Sequence, residues 1–410
     1  MARELETIRY LRSTQAIRDR CGALFELCLQ DQLSHFRCDL TQLDRVADYV
    51  IETIQAAYPD WQIPFHSRWR HFQAGGVDRL SDLHQKLSAY SPLERARIQF
   101  DLAITSVLLD AGAGTVWRYT EAETGKEFGR SEGLAVASYH LFLQGRFSSD
   151  PGYPLRADAI GLQQLSLKQL AQGFQVSDQN PLVGLEGRLK LMQQLGRVLA
   201  SLPQLFGVEN PRPGALVDYL MAQAQDAQLS AHQVFEAVLV GFSEIWPGRI
   251  TIANVNLGDV WQHSALPSTD LGAQLVPFHK LSQWLTYSLL EPLQELGLTI
   301  TELNRLTGLA EYRNGGLCVD LGLLQPKQAA VLQESHLPSS EVIVEWRALT
   351  VVLLDRIAAQ IRQQRGQTAL ELPLAKILEG GTWAAGRRMA AERRSNGASP
   401  IQVRSDGTVF

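Results

Sequence analysis

The residues best suited to chemistry stand together in Leu306-Thr-Gly-Leu-Ala-Glu-Tyr-Arg-Asn-Gly-Gly-Leu317. A carboxylate (Glu311), a phenol (Tyr312), a guanidinium (Arg313) and a carboxamide (Asn314) are adjacent there in an apolar setting. Upstream lies Pro277-Phe-His-Lys-Leu-Ser-Gln-Trp-Leu-Thr-Tyr-Ser-Leu-Leu290, whose apolar residues recur at helical spacing and are interrupted by His279, Lys280 and Gln283. A polar group left unpaired on a core-facing segment costs about 1–3 kcal/mol. Such groups are kept for one another or for a ligand, so the two segments are expected to line a pocket for a small polar molecule. Glu311 can face a developing positive charge or act as a general base. Arg313 and Lys280 suit an anion, the first as a planar fork and the second as a point charge. Gln283 and Asn314 offer paired donors and acceptors, and Trp284 and Tyr312 can wall a ring. The competing structural reading is a buried Glu311–Arg313 pair with Lys280 reaching to water.

A second polar group, Asp110, Arg118, Arg130 and Glu132, borders the apolar segment Leu134 to Phe142; Arg130 and Glu132 are candidates for ligand binding, with structural ion pairs as the alternative. The stretch Pro64-Phe-His-Ser-Arg-Trp-Arg-His-Phe72 is equally open between an anion site at Arg68 or Arg70 and a polar edge packed round Trp69. Its histidines are five apart, so they do not share one helix face as zinc ligands four apart do. Cys21, Cys28 and Cys38 match no zinc spacing, and Cys318 stands alone. No metal and no cofactor is expected, and the cysteines read as reduced and mostly buried.

Helices must position these groups. Residues 4–57 carry apolar residues at steps of three and four, which predicts two or three amphipathic helices. Ser91-Pro-Leu-Glu94 reads as a helix start, with Ser as cap, Pro at the first position and Glu closing a capping box. That helix runs through Phe100 and Ile104 to Asp110, and Ala111-Gly-Ala-Gly114 ends it without forming a nucleotide-binding fingerprint. Residues 150–240 predict further helices punctuated by Pro and Gly, and Ile250-Thr-Ile252 a short strand. Residues 339–364 predict a helix buried on a wide face, in which Glu345 and Arg347 take intrachain ion pairs. The tail is expected to close in a short hairpin at Asp406-Gly407. The fold class is mostly α with little β, as one merged helical domain over 1–410 or two packed lobes of about 1–150 and 151–410.

With 410 residues, 45% apolar and 20% charged, the chain can bury a sizeable core. A net charge of −5 gives no footprint for nucleic acid. No apolar run reaches the roughly 20 residues a membrane span needs, and no signal-peptide core follows Met1. A cytoplasmic protein acting on a small molecule is expected, with the oligomeric state open.

Several blocks together resemble the uracil catabolism protein 4 family. They are His66-Ser-Arg-Trp-Arg-His-Phe72, Leu109-Asp-Ala-Gly-Ala-Gly114, Arg130-Ser-Glu-Gly-Leu-Ala135, Phe242-Ser-Glu-Ile-Trp-Pro-Gly-Arg249, Leu306 to Gly316, Glu379-Gly-Gly-Thr-Trp-Ala-Ala-Gly-Arg387 and Ser405-Asp-Gly-Thr-Val-Phe410. The resemblance implies a place in a pathway that phosphoribosylates uracil, opens the ring and releases urea. Phe278-His-Lys-Leu-Ser-Gln283 and Glu311-Tyr-Arg313 are also similar, more weakly, to the queuosine salvage nucleoside glycosidases. Those enzymes are all-helical and related to DNA glycosylase folds. They have Tyr where this chain has His279, and Asp where it has Glu311. Together the two resemblances imply a hydrolase that cuts the N-glycosidic bond of ribosylurea or its 5-phosphate, with Glu311 at the anomeric carbon. Lys280 and Arg313 would then meet a 5-phosphate, and Gln283 and Asn314 the urea. The alternatives are another ring-opening or amide-cleaving enzyme of the pathway, or a non-catalytic scaffold for its intermediates.

Overall fold

The computed structural model describes residues 2–110, 112–246 and 250–404. Ala111, 247–249 and 405–410, which include the turn expected at Asp406-Gly407, lie outside them. The fold is mostly α. Its main helices are α1 (Ala2–Leu11), α2 (Thr14–Leu29), α3 (Leu43–Ala57), α4 (Arg68–Phe72) and α5 (Pro92–Leu108). Then follow α6 (Arg130–Leu143), α7 (Leu185–Ser201), α8 (Ala231–Phe242), α9 (Lys280–Glu295) and α10 (Tyr312–Asp320). The long α11 (Glu341–Arg365) precedes a π turn (Leu378–Trp383) that runs into α12 (Ala384–Arg393). Among the described residues, strands are two or three residues long and pair only in twos. The described part of the tail, Gln402–Val403, pairs in parallel with Ser335–His336.

Three helices are buried on nearly every side over long stretches. In α5 every residue from Ile98 to Leu108 is buried, in α9 every residue from Ser282 to Leu290, and in α11 every residue from Val342 to Val351. Helix α9 packs against α5 and α8, α11 against α2 and α3, and α10 lies between α11 and α12. Buried apolar side chains form one contiguous cluster reaching from Ile17 to Ile401, with a smaller group around Leu11, Val260 and Leu275.

Two local details depart from the sequence reading or refine it. Ser91 caps α5 by accepting the Glu94 amide at 3.3 Å, with Pro92 at the first position. The capping box, however, does not close. The Glu94 carboxylate is held by Arg97 at 3.1 Å and Arg212 at 2.5 Å, and charge-assisted bonds to two guanidiniums outcompete one to a backbone amide. In α11, Arg347 and Glu345 each find partners elsewhere in the chain. Arg347 forks onto Asp259 with both bonds at 2.8 Å, while Glu345 accepts the amides of Ser34 and His35 at 3.2 and 3.1 Å, with His263 at 3.4 Å.

The feature that most affects the site is Pro292, inside the last turns of α9. Lacking an N–H, it leaves the carbonyl of Ser288 without its helical donor. That carbonyl accepts the Trp69 indole N–H at 2.7 Å, and the Ser288 hydroxyl accepts the Arg68 amide at 2.9 Å. A proline near one end of α9 thereby fixes the position of α4 alongside it.

Candidate active site

The ends of several helices meet at one cavity of about 250 Å³. Its wall is made by His66 and His71 of the α4 segment, Asp110 after α5, Arg130 and Ser131 opening α6, Lys280 and Trp284 of α9, Glu311 and Tyr312 at α10, and Trp383 of the π turn. Helices α6, α9 and α10 all begin at this wall. Helix starts carry unsatisfied N–H groups and the positive end of the helix dipole, so the wall favours negative charge and acceptor oxygens.

Glu311 is the N-cap of α10. Extended backbone (φ −116°, ψ 161°) turns its side chain back over the first turn, where one carboxylate oxygen accepts the Arg313 amide at 2.8 Å and the other the Asn314 amide at 2.5 Å. It is 7% exposed. Burial raises its pKa, and the two amides and the Lys280 ammonium only partly counter that. Each carboxylate oxygen keeps a lone pair beyond its amide bond, so the group is fixed in place yet can still face a cation or a water.

Lys280 is the first residue of α9. Its amide donates to Asp259 at 3.1 Å. Its half-buried ammonium makes no ion pair within 4 Å among the described residues, although Glu311 and Asp110 act on it from across the cavity. Burial lowers its pKa, and the two carboxylates only partly counter that. One turn on, Trp284 is 5% exposed, and its indole N–H has no acceptor among the described residues. Below it the fully buried Arg68 donates to Asp110 at 3.1 Å and to Ser106 at 2.7 Å, and Asp110 also accepts the Ser131 hydroxyl at 2.5 Å.

Trp284 also belongs to an aromatic box. The rings of His66 and His71 lie between those of Trp284 and Trp383, with centroids 5.5–6.3 Å apart. His66 Nδ1 donates to Glu379 at 2.7 Å, because a carboxylate only accepts. Arg68 can only donate, so its 3.5 Å approach to His71 Nδ1 makes that atom the acceptor and puts the neutral ring's proton on Nε2. Burial and the Arg68 charge hold His71 well below the ordinary imidazole range, so it is neutral. The π turn brings Glu379 and Trp383 to this place, and it needs Gly380 and Gly381 to do so. A Cβ on Gly381 would lie 2.7 Å from Val50 of α3, and one on Gly380 3.0 Å from Ile63 and Tyr58. Wide helical turns of this kind are often found at functional sites.

With this geometry in view, relatives decide the family. The uracil catabolism protein 4 of Lachancea kluyveri is 40% identical over 437 residues, covering 98% of this chain and 99% of that protein. This chain belongs to that family. The protein urg3 of Schizosaccharomyces pombe is 41% identical over 415 residues, 99% of either chain. A family model described as a protein of unknown function, DUF1688, matches residues 10–410. The uracil catabolism protein 4 resemblance read from the scattered blocks thus extends over the whole chain, and several of those blocks (66–72, 109–114, 130–135, 306–316 and 379–387) converge on the cavity.

The residues singled out from the sequence divide into two groups. Arg130, Lys280, Trp284, Glu311 and Tyr312 share the cavity wall. The others bond elsewhere. Gln283 donates to Thr307 Oγ1 at 2.7 Å and accepts the Thr307 amide at 2.8 Å. Asn314 donates to the Leu309 carbonyl at 3.1 Å. His279 sits in a left-handed backbone (φ 46°) and donates to the Leu11 carbonyl at 2.8 Å. Glu132 is paired with Arg387. Arg313 does not form the side-chain ion pair with Glu311 that the competing reading required: its guanidinium lies 4.8 Å over the Tyr312 ring and donates to the Gly397 carbonyl at 2.9 Å. Asp110, His66, His71, Glu379 and Trp383 were not assigned to the site from sequence. Asp110 was read only as a member of the polar group with Arg118, Arg130 and Glu132, and the signal for the others was the density of His, Trp and Arg in residues 64–72 and the block 379–387.

Proposed function

We propose that this chain is a hydrolase of uracil catabolism that cleaves the N-glycosidic bond of ribosylurea or its 5-phosphate and releases urea. Membership in a family with a relative named for uracil catabolism supports the pathway. The observation that carries the reaction is that Glu311 and Lys280 share one cavity without forming an ion pair with each other. N-glycoside hydrolysis passes through an oxocarbenium-like state that needs a carboxylate at the anomeric carbon and a positioned water. Glu311 serves both needs from its fixed cap position. Lys280 and Arg130, with the N-termini of α6 and α9, meet the oxygens of the sugar or of a 5-phosphate. The indole N–H of Trp284 and the Nε2–H of His71 are donors for a urea or hydroxyl oxygen, and the Trp383 face walls the sugar.

No helix among the described residues is long and apolar enough to cross a bilayer. An amide-cleaving enzyme using an activated thiol is less well supported. Cys318 lies in the buried face of α10, and burial pushes its thiol up to about 12. The deciding experiment incubates the purified protein with synthetic ribosylurea and with its 5-phosphate and measures urea and ribose release. Release of urea with free sugar supports the glycosidase. Ammonia without free sugar supports amide cleavage, and tight binding without turnover supports a scaffold.

A further inference from the structure

The glycosidase reading leaves one chemical need unmet. Urea is a very poor leaving group as an anion, so the ureido nitrogen or oxygen must receive a proton as the bond to the sugar breaks. Glu311, as a carboxylate facing the anomeric carbon, has no proton to give. His66 lines the same cavity and is 4% exposed. Its Nδ1 is committed to Glu379, and its Nε2 makes no hydrogen bond among the described residues. A carboxylate behind one imidazole nitrogen fixes the ring's orientation and leaves the other nitrogen free for a second partner.

We infer that His66 is the acid that protonates the departing urea, with Glu379 as its positioning residue and Glu311 as the base on the sugar side. The inference rests on the glycosidase reading and narrows it to N-ribosides whose leaving group is a neutral amide. In the step, the C1–N bond breaks and its electron pair stays on the ureido nitrogen, which takes the Nε2 proton of His66. A water loses a proton to Glu311, and its oxygen bonds to C1. The products are ribose, or its 5-phosphate, and urea. Proton exchange with solvent then returns Glu311 to the carboxylate and His66 to the imidazolium. The titratable and charged groups round the ring are Glu379, His71, Tyr58 and the Arg70–Glu291 pair, which Ser67 joins at 2.5 Å. Arg387 stacks on the Trp383 wall.

The test uses two leaving groups. His66→Ala and wild type are compared on ribosylurea and on 4-nitrophenyl riboside, each as free sugar and as 5-phosphate; nitrophenolate departs without a proton. The expected result is a loss of about 10²–10⁴ in kcat on ribosylurea and less than about tenfold on the nitrophenyl substrate. Retained nitrophenyl cleavage also reports that the variant is folded. Glu379→Gln is expected to lose part of the urea-releasing rate while keeping the nitrophenyl rate, because it loosens the hold on the His66 ring without touching the sugar side. Equal losses on both leaving groups, or no loss on ribosylurea, overturn the acid role. A wild-type protein that splits neither substrate overturns the glycosidase reading itself, and the acid with it.

Discussion

Two cations touch the same aspartate and have different fates. Arg347 holds Asp259 through two bonds of 2.8 Å, lies 4.1 Å over the Phe278 ring and is 1% exposed. Burial alone would raise the Asp259 carboxyl. The Arg347 guanidinium, the Trp261 N–H and the Lys280 amide outweigh that and hold it far below the usual range. Lys280 gives Asp259 only its backbone amide and sends its ammonium into the cavity, where among the described residues it pairs with nothing. The first arrangement is a closed structural pair. The second keeps a desolvated charge unpaired, which a protein does at a price in stability and which a ligand can offset.

That contrast can be broken in several ways. Asp259→Ala takes the carboxylate from a buried guanidinium and is expected to lower unfolding free energy by about 3–5 kcal/mol, read from the denaturant midpoint. Glu311→Gln is expected to cut urea release by about 10²–10⁴, while the loss of its capping strength lowers stability by only about 1 kcal/mol. Comparable losses of fold and rate would make Glu311 a cap and nothing more. Lys280→Met breaks no ion pair, so its melting temperature should hold or rise, while substrate binding weakens by about 1.5–3 kcal/mol, measured by calorimetry. A Lys280→Met protein that melts much lower would put this lysine with Arg347 as a structural cation. The pH profile of urea release sharpens the same point. Burial raises the Glu311 pKa in the folded protein, and the proposed reaction needs the carboxylate. The acid limb should therefore lie above the ordinary glutamate value, with activity lost as pH falls through it. Smallest of all, Trp284→Phe removes a buried N–H that has no partner among the described residues; it should stabilise the protein by up to about 1 kcal/mol and raise the KM.

The helical class was legible because α2, α3, α5 and α11 carry long apolar periods, and a long period averages over local exceptions. The Glu311 to Asn314 segment was legible as polar residues in an apolar context, and so was Lys280. Gln283 and Asn314 looked identical to ligand-binding carboxamides at that level. Only the fold reveals Thr307 and Leu309 as their partners. His66, Asp110 and Glu379 were not legible as one site, because they come together from far apart in the chain (His66 and Glu379 are separated by 313 residues). Local patterns carry no record of such a meeting. The capping box failed for a similar reason, since Arg212 arrives from 118 residues away to take the Glu94 carboxylate.

The carbonyl released by Pro292 has a consequence for how the molecule is made. Trp69, which docks on it, is an early part of the chain, and Ser288 follows 219 residues later. Contacts so distant along the chain form late, after loop closure has been met by many others. During synthesis, therefore, the N-terminal wall is expected to wait without its counterpart until most of the polypeptide has left the ribosome, so that the cavity closes in the last steps of folding.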